Sequence, residues 1–164
     1  MITLTRATIL DIPFVMAAER QPGYEMFVGH WTPSQHREVL DDSSSVYLLG
    51  AEDDGPIQGF AMLRDLNDTN GNVYLKRIAV MEAGRGFGQA FLAAVTDWVF
   101  TETKAHRFWL EVVEDNMRAR HVYAKLGFAD EGRERETYWR ADGTRGSHRL
   151  MSILRPEWNA RPKR

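Results

Sequence analysis

The sequence predicts an α/β protein, a single mixed β-sheet with helices against its faces, and three observations predict it. Apolar, β-prone runs at Val46 to Ala51, Gln58 to Leu66 and Val73 to Val80 follow one another between strong turn signals. Helical periodicity governs the stretch from Gly86 to Lys104, where Phe91, Leu92, Val95, Trp98 and Val99 fall on one side. Two strand–helix–strand successions in the second half allow a parallel step inside an otherwise antiparallel sheet.

Taken in order, Ile2 to Arg6 alternates as a short strand, and Asp11 to Arg20 reads as a helix opened by Asp11 with Pro13 in its first turn. A second helix opens at Thr32, because Thr32-Pro33-Ser34-Gln35 combines an N-cap, a proline at the first helical position and a capping-box glutamine. It runs into the polar loop Asp41-Asp42-Ser43-Ser44-Ser45. The three apolar runs then form an antiparallel meander, separated by Asp53-Asp54-Gly55-Pro56 and by Asn67-Asp68-Thr69-Asn70-Gly71-Asn72. After the long helix, Arg107 to Val113 is strand-like, Met117 to Leu126 is helical and stops at Gly127, and two further strands flank the turn Asp142-Gly143. The order is β-α-α-β-β-β-α-β-α-β-β, about six or seven strands and four helices in all. One domain is expected over residues 1–164, with 159–164 as a frayed tail.

Composition narrows the function. A chain of 164 residues with 43% apolar and 27% charged residues buries a real core and has an ordinary globular balance. It contains no cysteine, which excludes disulfides, thiolate metal sites and a cysteine nucleophile. Met1 to Arg6 has no basic run followed by an apolar segment, so no signal peptide is read there. The most apolar stretch, Phe87 to Phe100, is broken by Gln89, Thr96 and Asp97, so no membrane span is expected. A cytoplasmic location is the expectation. Net charge is −2 with scattered basic residues, and Arg161-Pro162-Lys163-Arg164 reads as solvated chain rather than a nucleic-acid arm. His30, His36, His106, His121 and His148 show no metal-ligand spacing, and no metal is expected.

The segment Leu75 to Ala90 carries the most chemistry: a buried strand enters the turn Gly84-Arg85-Gly86-Phe87-Gly88, which opens a long helix. The first amides of a helix lack intrahelical partners and sit at the positive end of its dipole, so this is an anion site. Gly86 and Gly88 let a pyrophosphate approach the backbone, and Arg85 adds a cation. No G-x-x-x-x-G-K-[ST] string exists in the chain. A dinucleotide G-x-G-x-x-G also fails, because its third glycine would be Gln89 or Phe91. What fits is Arg85-x-x-Gly88-x-Ala90, and here the chain resembles the GNAT acetyltransferases, whose hallmark is R/Q-x-x-G-x-G/A after the central strand.

A second block strengthens the resemblance. Leu110-Glu111-Val112, Asn116, Ala119, Tyr123 and Gly127-Phe128 stand as in the family pattern L-E-V-x-x-x-N-x-x-A-x-x-x-Y-x-x-x-G-F, and the likeness is strong from residue 73 to 128. It implies the GNAT fold and acetyl-CoA as cosubstrate. The acetyl group would pass to a primary amine, on a protein N-terminus or a small molecule, by direct attack through a tetrahedral intermediate. By position, Gly86, Phe87, Gly88, Gln89 and Ala90, with Arg85, would hold the pyrophosphate. The backbone of Ile78, Ala79 and Val80 would pair with the pantetheine arm, and Asn116 would touch it while capping its helix.

The chemistry needs a base, because a free α-amine has a pKa of about 8 and a lysine amine about 10.4. It also needs a donor for the leaving thiolate and backbone N–H groups for the oxyanion. The resemblance makes Tyr123 the general acid and Glu111 the candidate base. A water chain, or an amine that binds already neutral, is the alternative to Glu111. The family's other usual base, a glutamate on the preceding strand, is absent, since no acid lies between Val73 and Val80.

Tyr24, Phe27, His30, Trp31, Tyr138 and Trp139 fall where the family walls its acceptor pocket, and Asp130, Glu131, Glu134 and Glu136 lie on a nearby strand. Arg6-Ala7-x-x-x-Asp11 and the ending Met151 to Trp158 look like the branch that acetylates ribosomal-protein N-terminal alanines. The resemblance also allows a homodimer. The rival readings are a non-catalytic acyl-CoA-binding or sensing module and, against both failed phosphate motifs, a nucleotide-binding domain.

Overall fold

The computed structural model describes residues 1–53 and 55–162. Its strands are β1 (Ile2–Arg6), β2 (Val46–Glu52), β3 (Ile57–Arg64), β4 (Asn72–Val80), β5 (Arg107–Val113), β6 (Ala129–Trp139) and β7 (Arg145–Leu154). They form one sheet in the order β1-β2-β3-β4-β5-β7-β6, antiparallel throughout except for the parallel β4–β5 pair. The helices are α1 (Ile12–Glu19), α2 (Pro33–Asp41), α3 (Phe87–Glu102), α4 (Met117–Lys125) and α5 (Arg155–Asn159).

Both faces of the central strands are covered, which is why β2 and β3 read as unbroken apolar runs. Val46 and Leu48, with Ala61 and Leu63, face Phe91, Leu92, Val95 and Val99 of α3. Tyr47 and Leu49, with Phe60 and Met62, face Val15 and Ala18 of α1 and Val39 of α2. Among the described residues no helix is long and apolar enough to cross a membrane.

The expected order of elements holds, with three local differences. Asp11 does not cap α1 with its side chain; its carboxylate turns back to the Thr8 amide (2.7 Å) and hydroxyl (3.0 Å), so a 3-10 turn over Ile9–Asp11 precedes α1. β3 stops at Arg64 rather than Leu66, because Asp65 enters the left-handed region at φ 61°. α5 is a fifth helix that the alternating strand pattern hid; Pro156 lies in its first turn and Glu157 accepts from the Leu154 amide at 2.8 Å. The turn expected at 53–56 and the tail expected at 159–164 include residues 54, 163 and 164, which lie outside the described residues.

Two features position the site. β3 and β4 pair Met62 with Arg77 and Leu63 with Leu75, so Lys76 is a bulge. A bulge bends its strand and increases the twist, and β4 pairs with β5 only at Asn72↔Arg107, Val73↔Phe108 and Tyr74↔Trp109. The strands part just where the bulge begins.

The second feature is a buried charge cluster around Glu19, which is 0% exposed. Its carboxylate accepts from Arg77 (2.6 Å), Arg20 (2.6 Å) and the Trp31 amide (3.0 Å), and meets His36 Nε2 at 3.1 Å. His36 Nδ1 in turn meets the Tyr47 hydroxyl at 2.7 Å. One carboxylate thus ties α1, α2, the loop between them and β4 together. Burial pushes the Glu19 carboxyl up, but His36, the Trp31 amide and Arg77 outweigh it and hold it below the ordinary value.

Removing one partner of a buried ion pair costs about 3–5 kcal/mol because the other charge stays buried, so Glu19→Ala should lower the unfolding midpoint by roughly 10 °C. A lowered folded pKa means that Glu19 stabilises fully above the ordinary glutamate range. That contribution is lost as pH falls through the folded value. Urea unfolding between neutral and acid pH should therefore show a shallower acid loss for Glu19→Gln than for the wild type; equal slopes would contradict the assignment.

Candidate functional site

Where β4 and β5 part, a cavity of about 660 Å³ opens between them, with α3, α4 and the α1–α2 loop around it. Ile78, Ala79, Val80, Gly86, Gly88, Gln89, Glu111, Asn116 and Tyr123 all line it. The structure thus brings most of the residues expected from sequence to one cleft.

The β4 edge is polar backbone. Met81 N donates to Gln58 O at 2.7 Å, which turns Met81 and, by alternation, Ala79 toward β3. Ile78 and Val80 then direct their N–H and C=O groups to the cleft. The Tyr24 hydroxyl accepts from Val80 N at 3.3 Å and donates to Val80 O at 3.1 Å.

At one end lies the start of α3. Gly84 (φ 107°) and Gly86 (φ 86°) take left-handed conformations, and Gly86 caps the helix without a side chain. Ala90 N returns to Gly86 O at 3.3 Å, so the Phe87, Gly88 and Gln89 amides stand ahead of it at the positive helix end. Three of the expected residues have side chains outside the cavity wall. Arg85 is exposed and pairs with Glu82 at 3.3 Å, Phe87 turns into the core and stacks on Phe91 (5.5 Å), and Ala90 faces solvent. Only their backbone, or a swing of Arg85, is available to an anion. Arg118, in the first turn of α4, lines the cavity near Gly84 and supplies a cation that the motif did not mark.

At the floor, Tyr123 is buried against Phe128, with ring centroids 5.8 Å apart. Burial, then the nearby Tyr24, pushes its hydroxyl well above the ordinary range, so it is a proton donor at neutral pH. Asn116 Oδ1 accepts from Ala119 N at 3.1 Å, so the same residue caps α4 and faces the cleft.

The other end carries carboxylates. Glu111 accepts from the Tyr74 hydroxyl at 3.1 Å, and Tyr74 stacks on Trp109 at 4.2 Å. Glu134 lies against Glu111, and burial followed by that neighbouring charge raises its pKa. Burial holds the His148 imidazole below its ordinary value, with Lys76 adding to the effect and Glu111 opposing it; His148 Nδ1 meets the Thr137 hydroxyl at 2.7 Å. Glu111, the carboxylate in the cavity lining, can accept a proton from an amine that reaches this end.

Of the expected acceptor wall, Tyr24 and Phe27 line the cavity. Trp31 instead covers Arg77 (4.8 Å), Tyr138 packs beside His148 (4.8 Å), and Trp139 is exposed beside Arg145 (4.4 Å). Asp130 and Glu131 are engaged by Arg149 and Arg107. Sequence reading did not place Tyr74, Lys76 or His148 here. Their only signal is the strand alternation that puts Tyr74 and Glu111 on one face, and using it requires knowing that β4 and β5 are neighbours.

The acetyltransferase (GNAT) family model matches residues 13–128. Spermidine N(1)-acetyltransferase of Vibrio cholerae serotype O1 is 32% identical over 81 residues, 49% of this chain and 46% of that protein. The chain therefore matches about half the length of that relative. Spermine/spermidine N(1)-acetyltransferase of Bacillus subtilis (strain 168) is 31% identical over 103 residues, 57% of this chain and 68% of that protein. Among solved structures, spermidine N-acetyltransferase from Vibrio cholerae in complex with CoA and spermine superposes with a TM-score of 0.84 at 19% identity, covering 96% of this chain and 98% of that one. At that identity the likeness concerns the fold.

A side chain at Gly86 meets nothing within 4 Å, so its cost is backbone strain alone. Gly86→Ala should lose about 1–2 kcal/mol. Gly88 is not left-handed and a Cβ there reaches Val80 at 3.8 Å, an ordinary contact, so Gly88→Ala should stay within about 0.5 kcal/mol of the wild type. Denaturant unfolding of the two variants checks the contrast.

Proposed function

The chain belongs to the acetyltransferase (GNAT) family, and on that footing we propose that it transfers the acetyl group of acetyl-CoA to a primary amine of a small, polyamine-like acceptor. The observation that supports this is the single cleft. It joins helix-start amides, a polar strand edge, a buried phenol and the Glu111 carboxylate. The two spermidine and spermine acetyltransferase relatives support the acceptor class, and so does the placement of Glu111 and Glu134. The motifs that resemble the ribosomal-protein branch lie at the chain ends, away from the cleft.

The residues present fit acetyl-CoA. The amides of Phe87, Gly88 and Gln89, with Arg118 and Arg85, would hold the pyrophosphate. The Ile78 and Val80 edge would pair with the amides of the pantetheine arm, as a neighbouring strand would. Acetyl-CoA supplies an activated acyl carbon. Glu111 takes a proton from the amine, directly or through water, so that the nitrogen lone pair can attack. An N–H of the β4 edge faces the developing oxyanion, and Tyr123 gives its proton to the departing sulfur. A module that only bound acyl-CoA would have no use for that buried donor.

Thiol release from acetyl-CoA, measured with spermidine, spermine and an alanine-starting peptide, tests the reading. The polyamines should give the higher kcat/KM. Tyr123→Phe should lower kcat on the order of 10²-fold, as loss of a general acid does, while the Kd for CoA stays within about twofold. Preference for the peptide would return the acceptor to protein N-termini. CoA binding with no turnover of any amine would favour the binding module.

A further inference from the structure

The loop between α1 and α2 is anchored at both ends. Glu19 accepts from the Trp31 amide (3.0 Å), and Arg20 donates to the Trp31 carbonyl (2.9 Å). Between these anchors lies Gly23, left-handed at φ 89° with open space where a Cβ would stand. Tyr24, Phe27 and Val28 follow, and they line the cleft. The loop therefore has a fixed base and a tight turn at Gly23, closed by Tyr24 N to Gln21 O at 3.0 Å, and it carries Tyr24 to the β4 edge.

There the Tyr24 hydroxyl takes both backbone groups of Val80, accepting from N at 3.3 Å and donating to O at 3.1 Å. These are the groups that the parting of β4 and β5 turns toward the cleft. A phenol carries one donor and acceptor lone pairs, so one hydroxyl can satisfy both. A secondary amide of the pantetheine arm carries the same complement, one N–H and one C=O. Tyr24 also stands close enough to Tyr123 to raise its pKa, so the contact lies beside the expected reaction centre.

We infer that the Tyr24 hydroxyl competes with acetyl-CoA for the Val80 edge, so that cofactor binding displaces Tyr24 together with the acceptor-side loop that carries it. The inference rests on the proposed function, because it takes the amide-bearing arm of acetyl-CoA as the competitor. It makes Tyr24 a positioning residue that links the β4 edge to the acceptor-side loop.

Tyr24→Phe keeps the ring and removes the competing hydroxyl. Two readouts test it, amide hydrogen exchange at Val80 in the protein alone and calorimetric titration with CoA. Val80 exchange should accelerate by about tenfold. CoA should bind about fivefold more tightly than to the wild type, the worth of one net hydrogen bond no longer broken on binding. Equal or weaker CoA binding by the variant overturns the inference and leaves the proposed function standing. Failure of both proteins to bind CoA overturns both. Tyr24→Leu serves if the phenylalanine variant does not fold; the same tightening is expected, and its absence counts against the inference in the same way.

Discussion

The parallel pairing of β4 with β5 runs through Asn72↔Arg107, Val73↔Phe108 and Tyr74↔Trp109 and then stops. Continued pairing would satisfy the backbone of Ile78 and Val80 within the sheet and leave no room between the strands. Instead the Lys76 bulge bends β4 away, and the cleft is the space so opened. α3 follows β4 through the glycine turn, and α4 follows β5. Both helices therefore begin at the same end of the parting, one offering its N-terminal amides and the other the Asn116 cap and Tyr123.

A parting in the middle of a sheet costs backbone hydrogen bonds, and the Glu19 cluster shows how the region is held. Arg77, next to the bulge, is clamped to Glu19 on α1, and the same carboxylate holds Trp31 and His36. Glu19 and His36 are fully buried and Arg77 nearly so, while Arg20 reaches solvent, and both carboxylate oxygens are hydrogen-bonded, the condition under which a buried charge is tolerable. Because this cluster fixes β4 relative to both ends of the α1–α2 loop, that loop and the β4 edge of the cleft share one anchor. Tyr24 is the visible product of that sharing.

Much of this was legible in the sequence, for physical reasons specific to each element. Thr32 and Gln35 announced α2 because the capping box is a local interaction, and both of its hydrogen bonds form. Gly84-Arg85-Gly86 marked the α3 start because the backbone there needs positive φ. Tyr123 and Asn116 stood at family spacing and do reach the cleft. Long-range facts were not legible. Glu19 carries no local signal, since nothing nearby in sequence reveals a partner 58 positions away. Tyr74 reaches Glu111 because β4 neighbours β5, and His148 reaches it because β7 inserts between β5 and β6. Asp11 does open α1, as read, but its side chain closes a capping box with Thr8 on the preceding 3-10 turn, which periodicity does not decide.

The gap between β4 and β5 is the proposed cofactor seat, with the β4 edge and the α3 amides as its two contacts. Backbone amide shifts of isotope-labelled protein titrated with CoA test it most directly. The largest changes are expected at Ile78, Val80 and Gly86 to Gln89, with β1, β2 and α5 unmoved. Changes confined to other strands, or none at saturating CoA, would contradict it and leave the glycine turn as a plain helix start.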